Sequence, residues 1–105
     1  MIYASSAAVY GEPIKVPITE NHPLHPISPY GASKLSGEKI GFAFYKTYGL
    51  KFTALRIFNT YGPRQPRYVA YDLIMKLKKD PTTLEVLGTG NQVRDYAYVS
   101  DTVDA

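Results

Sequence analysis

Residues 28–49, SPYGASKLSGEKIGFAFYKTYG, read as a single long helix. Ser28 is a good N-cap, and Pro29 suits the first helical position, where a backbone N–H has no partner to lose. Gly49 supplies the stop. Between them Leu35, Ile40, Ala43, Phe44 and Tyr48 recur at near-helical spacing. Apolar runs lie on either side. Met1-Ile2-Tyr3-Ala4-Ser5 reads as a short strand of the buried, parallel kind, and Lys51 to Phe58 as a second, rich in β-branched and aromatic residues. Strand, helix, strand is the repeating unit of a parallel sheet layered with helices.

The first strand and the helix are joined by a stretch holding Pro13, Pro17, Pro23 and Pro26. Prolines remove backbone donors, so this is expected to be a long ordered loop, and loops of that length tend to be functional. After the second strand, Asn59 to Pro66 reads as a turn and Tyr68 to Lys79 as a helix whose terminal lysines suit the dipole. Leu84 to Val86 and Gln92 to Val99 read as short strands about a hairpin turn at Gly88-Thr89-Gly90. Ser100 or Asp101 reads as the cap of a last helix that is hardly begun. The expectation is a partial α/β fold. Its first residues look like a central strand and its last like a helix start, as in a piece of a larger domain.

Composition removes several function classes. Hydrophobic residues make up 45% and charged residues 20%, which fits a globular chain and not a disordered one. The apolar runs are too short for a membrane span, so no membrane partner is expected, and the location expected is the cytoplasm. The absence of cysteine excludes a disulfide framework and thiolate metal sites. The net charge of +3 comes from cations interspersed with acids, so no nucleic-acid partner is expected. His22 and His25 lie among the prolines, far in sequence from other ligand types, and are expected on the loop surface with no metal.

The chemistry concentrates in Tyr30-Gly31-Ala32-Ser33-Lys34. Residues four apart share a helix face, so the phenol and the ammonium point the same way. A phenol ordinarily ionises near pH 10, and each unit of lowering needs about 1.4 kcal/mol. A phenolate base at neutral pH thus needs about 4 kcal/mol of stabilisation, which a nearby ammonium and a cationic ring can supply together. Spacing alone carries little weight, because such pairs also occur as surface decoration. Three further segments change that. Ser5-Ser6-Ala7-Ala8-Val9-Tyr10-Gly11 follows directly on a strand, and parallel sheets place their sites at the carboxyl ends of strands. Leu55 to Arg64 again runs from strand into turn. Val93 to Asp101 comes last.

In that order the four segments resemble the extended short-chain dehydrogenase/reductase family, the NAD-dependent nucleotide-sugar epimerases and dehydratases, and most of all its UDP-glucose 4-epimerases. The resemblance covers essentially the whole chain. It implies a partial Rossmann-like, doubly wound parallel sheet, with residues 1–60 as its catalytic half and 61–105 as the start of the substrate-binding region. It implies Tyr30 as the base, Lys34 as its partner and ribose anchor, and Ser6 as the hydroxyl on the reacting sugar oxygen. Tyr30, Lys34 and a backbone contact at Phe58 would serve NAD, while Ser6, Asn59 and Arg94 would serve the nucleotide sugar, a UDP-hexose. A planar guanidinium suits a diphosphate.

The implied reaction moves hydride through NAD and a 4-keto sugar. The family's 4,6-dehydratases carry an Asp-Glu pair after the serine, whereas this chain has Ala7 and Ala8, which favours epimerisation. The full-length form is expected to be a homodimer joined through helices such as Tyr30 to Tyr48. The glycine-rich turn by which the family grips NAD is absent from these 105 residues, and Gly88-Thr89-Gly90 opens no helix. Three readings follow: a catalytic segment inactive by itself, a non-catalytic Rossmann-like core acting as a structural or oligomerisation module, or another nucleotide-sugar epimerase/dehydratase of the same family.

Overall fold

The computed structural model describes residues 1–105, which divide into two compact units, Met1–Phe58 and Asn59–Ala105. The first contains β1 (Ile2–Ser6), a 3-10 turn (Ala7–Val9), α1 (Pro29–Tyr48) and β2 (Thr53–Ile57). β1 and β2 pair in parallel, from Ile2 opposite Thr53 to Ser6 opposite Ile57. α1 takes the bounds its sequence predicts. The Ser28 hydroxyl accepts the Gly31 N–H at 3.0 Å, and Gly49 closes the helix in the left-handed region at φ 68°.

The face that α1 turns to the sheet is not the one its apolar residues mark. Ile40 and Tyr48 are 59% and 74% exposed, and Phe44 is about half exposed. The buried residues of α1 are Gly31, Glu38 and Gly41. Missing side chains let the backbone come close: a Cβ on Gly31 would run into the Ala8 carbonyl, one on Gly37 into the Tyr3 hydroxyl, and one on Gly41 into the Phe52 ring. β1 is likewise buried on one side only. Ser5 is buried and Tyr3 half-buried toward α1, while Ile2 and Ala4 are exposed on the opposite face. The fully buried strand expected from its apolar run is thus corrected, because a single helix covers the two-stranded sheet.

Charge, not hydrocarbon, fastens helix to sheet. The Glu38 carboxylate, on a residue 7% exposed, accepts the Ser5 hydroxyl at 2.5 Å. It also accepts Arg56 Nε at 3.0 Å and Nη2 at 2.9 Å, a forked ion pair from β2. Arg56 Nη1 continues to the Tyr10 hydroxyl at 3.0 Å and the Glu20 carbonyl at 3.2 Å, tying in the proline-rich loop. His22 is buried, contrary to the expected surface position. Its Nε2 accepts the Ile14 N–H at 3.0 Å, its Nδ1 lies 2.9 Å from the Pro23 carbonyl, and its ring meets Tyr10 edge-on. A loop with few backbone donors is held by side-chain bonds such as these.

The second unit contains β3 (Asn59–Tyr61), α2 (Tyr68–Lys79), β4 (Tyr96–Tyr98) and α3 (Val99–Asp104). β3 and β4 pair in parallel, Asn59 opposite Tyr96, with Tyr61 edge-on to both Tyr96 and Tyr98. Five sequence expectations are corrected. Asn59 to Tyr61 is a strand and not a turn, since β4 gives it a partner. Leu84 to Val86 forms no strand, and of Gln92 to Val99 only three residues pair. Gly88 to Gly90 is consequently no hairpin. The last helix is formed, with Tyr98 at its N-cap and Asp101 in its first turn, where a negative charge suits the dipole.

Two outcomes are expected. Gly31→Ala should destabilise the chain by about 1–3 kcal/mol in denaturant unfolding, reversing the gain of about 1 kcal/mol normal for that change in a helix. Burial raises the Glu38 carboxyl, but the Arg56 and Ser5 hydrogen bonds outweigh it and hold the group below its ordinary 4.5. Its contribution is therefore complete above pH 4.5 and fades as pH falls through the lower folded value. Exposed Asp80, held low by Thr82, fades in the same direction, so the comparison must be with Glu38→Gln. The stability difference between parent and variant should be flat above about pH 5 and shrink below it.

Candidate active site

Ser6 ends β1, and its hydroxyl accepts the Ala8 N–H at 3.2 Å, capping the turn that follows. A hydroxyl that accepts there keeps its own proton to donate. Pairing of Ser6 with Ile57 puts Phe58, the next residue, at the same carboxyl edge of the sheet. The first turn of α1 meets this edge, since Gly31 packs on the Ala8 carbonyl and on Pro26. Tyr30 therefore stands beside the turn that Ser6 begins. Its side chain is open to solvent, with the residue 56% exposed.

Lys34 lies one helical turn further on. Its Nζ donates to the Ala4 carbonyl at 2.9 Å and sits 5.7 Å from the centre of the Tyr30 ring and 5.5 Å from that of Tyr3. The ammonium is thus held between two aromatic rings and a strand carbonyl, with two N–H donors left over. Ser6, Tyr30, Lys34 and Phe58 all belong to the first unit and gather at one end of its sheet.

Asn59 and Arg94 belong to the second unit. Asn59 Nδ2 donates to the Asp95 carbonyl at 3.0 Å, which brings the residue after Arg94 against the start of β3. The Arg94 guanidinium is exposed, and its one intramolecular bond is a long 3.5 Å contact to the Val93 carbonyl. Asn59 opens β3 and Arg94 lies two residues before β4, so the second unit offers an amide and an exposed cation near the starts of its paired strands.

The structure adds a set that the sequence reading passed over: Ser5, Glu38, Arg56 and Tyr10. Each had a signal. Ser5 alternates with Ser6 and so must face the helix. Glu38 follows Lys34 by four residues on the same stripe. Arg56 is a charge in the middle of a strand, which requires a partner.

The residues fit one end of a dinucleotide better than the other. Adjacent phenol and ammonium groups beside an open edge suit a ribose and its attached ring. The pyrophosphate finds no cradle in these residues: β1 leads into a 3-10 turn and a proline-rich loop, not through a glycine turn into a helix. Gly88 and Gly90 have positive φ but begin no helix. No group of three or more His, Asp or Glu residues is placed to hold a metal ion.

The chain matches the family model of the NAD dependent epimerase/dehydratase family over residues 1–105. It is 43% identical over 110 residues to a putative UDP-glucose 4-epimerase of Methanocaldococcus jannaschii, covering 100% of this chain and 36% of that protein. A UDP-N-acetylglucosamine 4-epimerase from Methanobrevibacter ruminantium, solved with UDP-N-acetylmuramic acid, superposes with TM-score 0.85 at 36% identity. That match covers 98% of this chain and 34% of that one. A dTDP-glucose 4,6-dehydratase from Bacillus anthracis, solved with NAD, gives TM-score 0.83 at 35% identity, covering 98% and 33%. The chain spans about a third of the length of the proteins it matches. Its Rossmann-like strands, helices and four ordered segments are those of the NAD-dependent epimerase/dehydratase family, to which it belongs.

Proposed function

We propose that this chain is the catalytic segment of an NAD-dependent nucleotide-sugar epimerase of the UDP-glucose 4-epimerase kind. The observation that carries the reading is the Lys34 ammonium 5.7 Å from the Tyr30 ring, on a helix whose first turn packs against the turn after Ser6. Tyr30 takes the proton of the sugar 4-hydroxyl as that carbon is oxidised to a ketone, and returns it after the sugar has turned over. Lys34 stands beside the Tyr30 ring and offers its spare N–H donors to a ribose. Ser6, its oxygen already accepting from Ala8, donates its proton to the same sugar oxygen. NAD, when bound, would supply the hydride acceptor and donor, and the Phe58 backbone would help to hold it. Asn59 and Arg94 hold the diphosphate of a UDP-hexose.

Epimerisation is favoured over dehydration by the residues after Ser6. Eliminating water needs an added acid and base, and Ala7 and Ala8 provide neither. The exposed Ile40, Phe44 and Tyr48 of α1 support this helix as the contact of a homodimer in the whole protein.

The purified chain should give no measurable interconversion of UDP-galactose and UDP-glucose with added NAD, and turnover would contradict that. In an epimerase that contains this segment, Tyr30→Phe should lower kcat by about 10²–10⁴. A loss smaller than tenfold would remove Tyr30 from the role of base.

A further inference from the structure

Tyr30, Lys34 and Glu38 are spaced by four residues, so one stripe of α1 carries a phenol, an ammonium and a carboxylate in succession. Lysine and glutamate at that spacing normally attract each other. Here they do not pair. Glu38 is bonded to Ser5 and Arg56, and the salt bridges of the chain are Arg56–Glu38 and Lys76–Glu85. Lys34 turns instead to the Ala4 carbonyl and the Tyr3 and Tyr30 rings. The fork of Arg56 occupies both Glu38 oxygens, and Ser5 takes a further bond to one of them.

We infer that Arg56 is a positioning residue for Lys34: by engaging both oxygens of the Glu38 carboxylate, it leaves the Lys34 ammonium to Tyr30. The inference rests on the reading of Lys34 as the partner of Tyr30 and deepens it. A charge on β2 that touches neither phenol nor ammonium then decides where the ammonium goes. Arginine suits the task because its planar fork engages both carboxylate oxygens, whereas a lysine there would engage one. The fork also reaches Tyr10 and Glu20, so the loop that leaves the Ser6 turn is held by the same guanidinium.

A role in sequestering charge differs from a role in bracing the helix, and two variants of the 105-residue chain separate them. The readout is the set of proton NMR contacts between the Lys34 ε-methylene and the Tyr3 and Tyr30 rings. Arg56→Met leaves the carboxylate in place without its partner, and the Lys34–Tyr30 contact should be lost as the ammonium swings to Glu38. Glu38→Gln removes the competing charge but keeps an amide oxygen that can still accept from Ser5 and Arg56 and so seat the helix, and the Lys34 contacts should persist although the ion pair has gone. Loss of those contacts in Glu38→Gln would mean that the charge pair itself places Lys34, and that result overturns the inference. Unchanged contacts in a folded Arg56→Met would overturn it as well. If Arg56→Met does not fold, Glu38→Gln alone decides. Adding NAD to the unsubstituted chain while following the Tyr30 signals tests the functional reading separately: no response would count against the cofactor site and leave the contact pattern standing.

Discussion

The Glu38 carboxylate, held by Ser5 from β1 and by the Arg56 fork from β2, is the joint on which the first unit depends. A charge so little exposed is tolerable only when its oxygens are occupied, and breaking such a pair by removing one partner costs about 3–5 kcal/mol. The joint therefore fixes the rotation of α1 about its own axis as well as its distance from the sheet. Glycines at 31, 37 and 41 then let the helix lie close enough for the bonds to form. Ile40, Phe44 and Tyr48 of α1 are exposed, and the apolar contact beneath the helix comes from the Tyr3 and Phe52 rings against Gly37 and Gly41.

That rotation has a chemical consequence. With Glu38 facing the sheet, Lys34 reaches the Ala4 carbonyl and Tyr30 stands at the edge where β1 gives way to its turn. The groups of the candidate site are thus set by bonds that lie beneath them. The Arg56 guanidinium extends the same arrangement into the loop through Tyr10 and Glu20, and buried His22 orders the loop from within. The site is open on the side that Tyr30 faces, and the residues around it suit a ribose and a ring, not a pyrophosphate.

Much of this was legible in the sequence where local rules govern. The Ser28 cap, Pro29 and Gly49 set the ends of α1, and helical spacing put Tyr30 and Lys34 on one face. Family likeness, carried by four ordered segments, identified the class. The failures have one physical origin: they concern partners distant in sequence. The apolar period of α1 marked the wrong face, because glycines and a paired carboxylate made the closer contact. His22 reads as surface in the sequence because only the folded loop brings the Ile14 N–H and the Tyr10 ring, eight and twelve residues away, onto its ring. Gln92 to Val99 reads as one of two short strands, yet a strand extends only as far as its neighbour, and β3 is three residues long.

On the proposed reading Tyr30 and Lys34 receive the ribose and ring of NAD. A titration of the chain with nicotinamide mononucleotide and with adenosine monophosphate, followed by NMR at the Tyr30 and Lys34 side chains, tests this directly. The first ligand should shift both sets of signals in a saturable way, and the second should leave them in place. Equal shifts from both ligands, or none from the nicotinamide nucleotide, would contradict it.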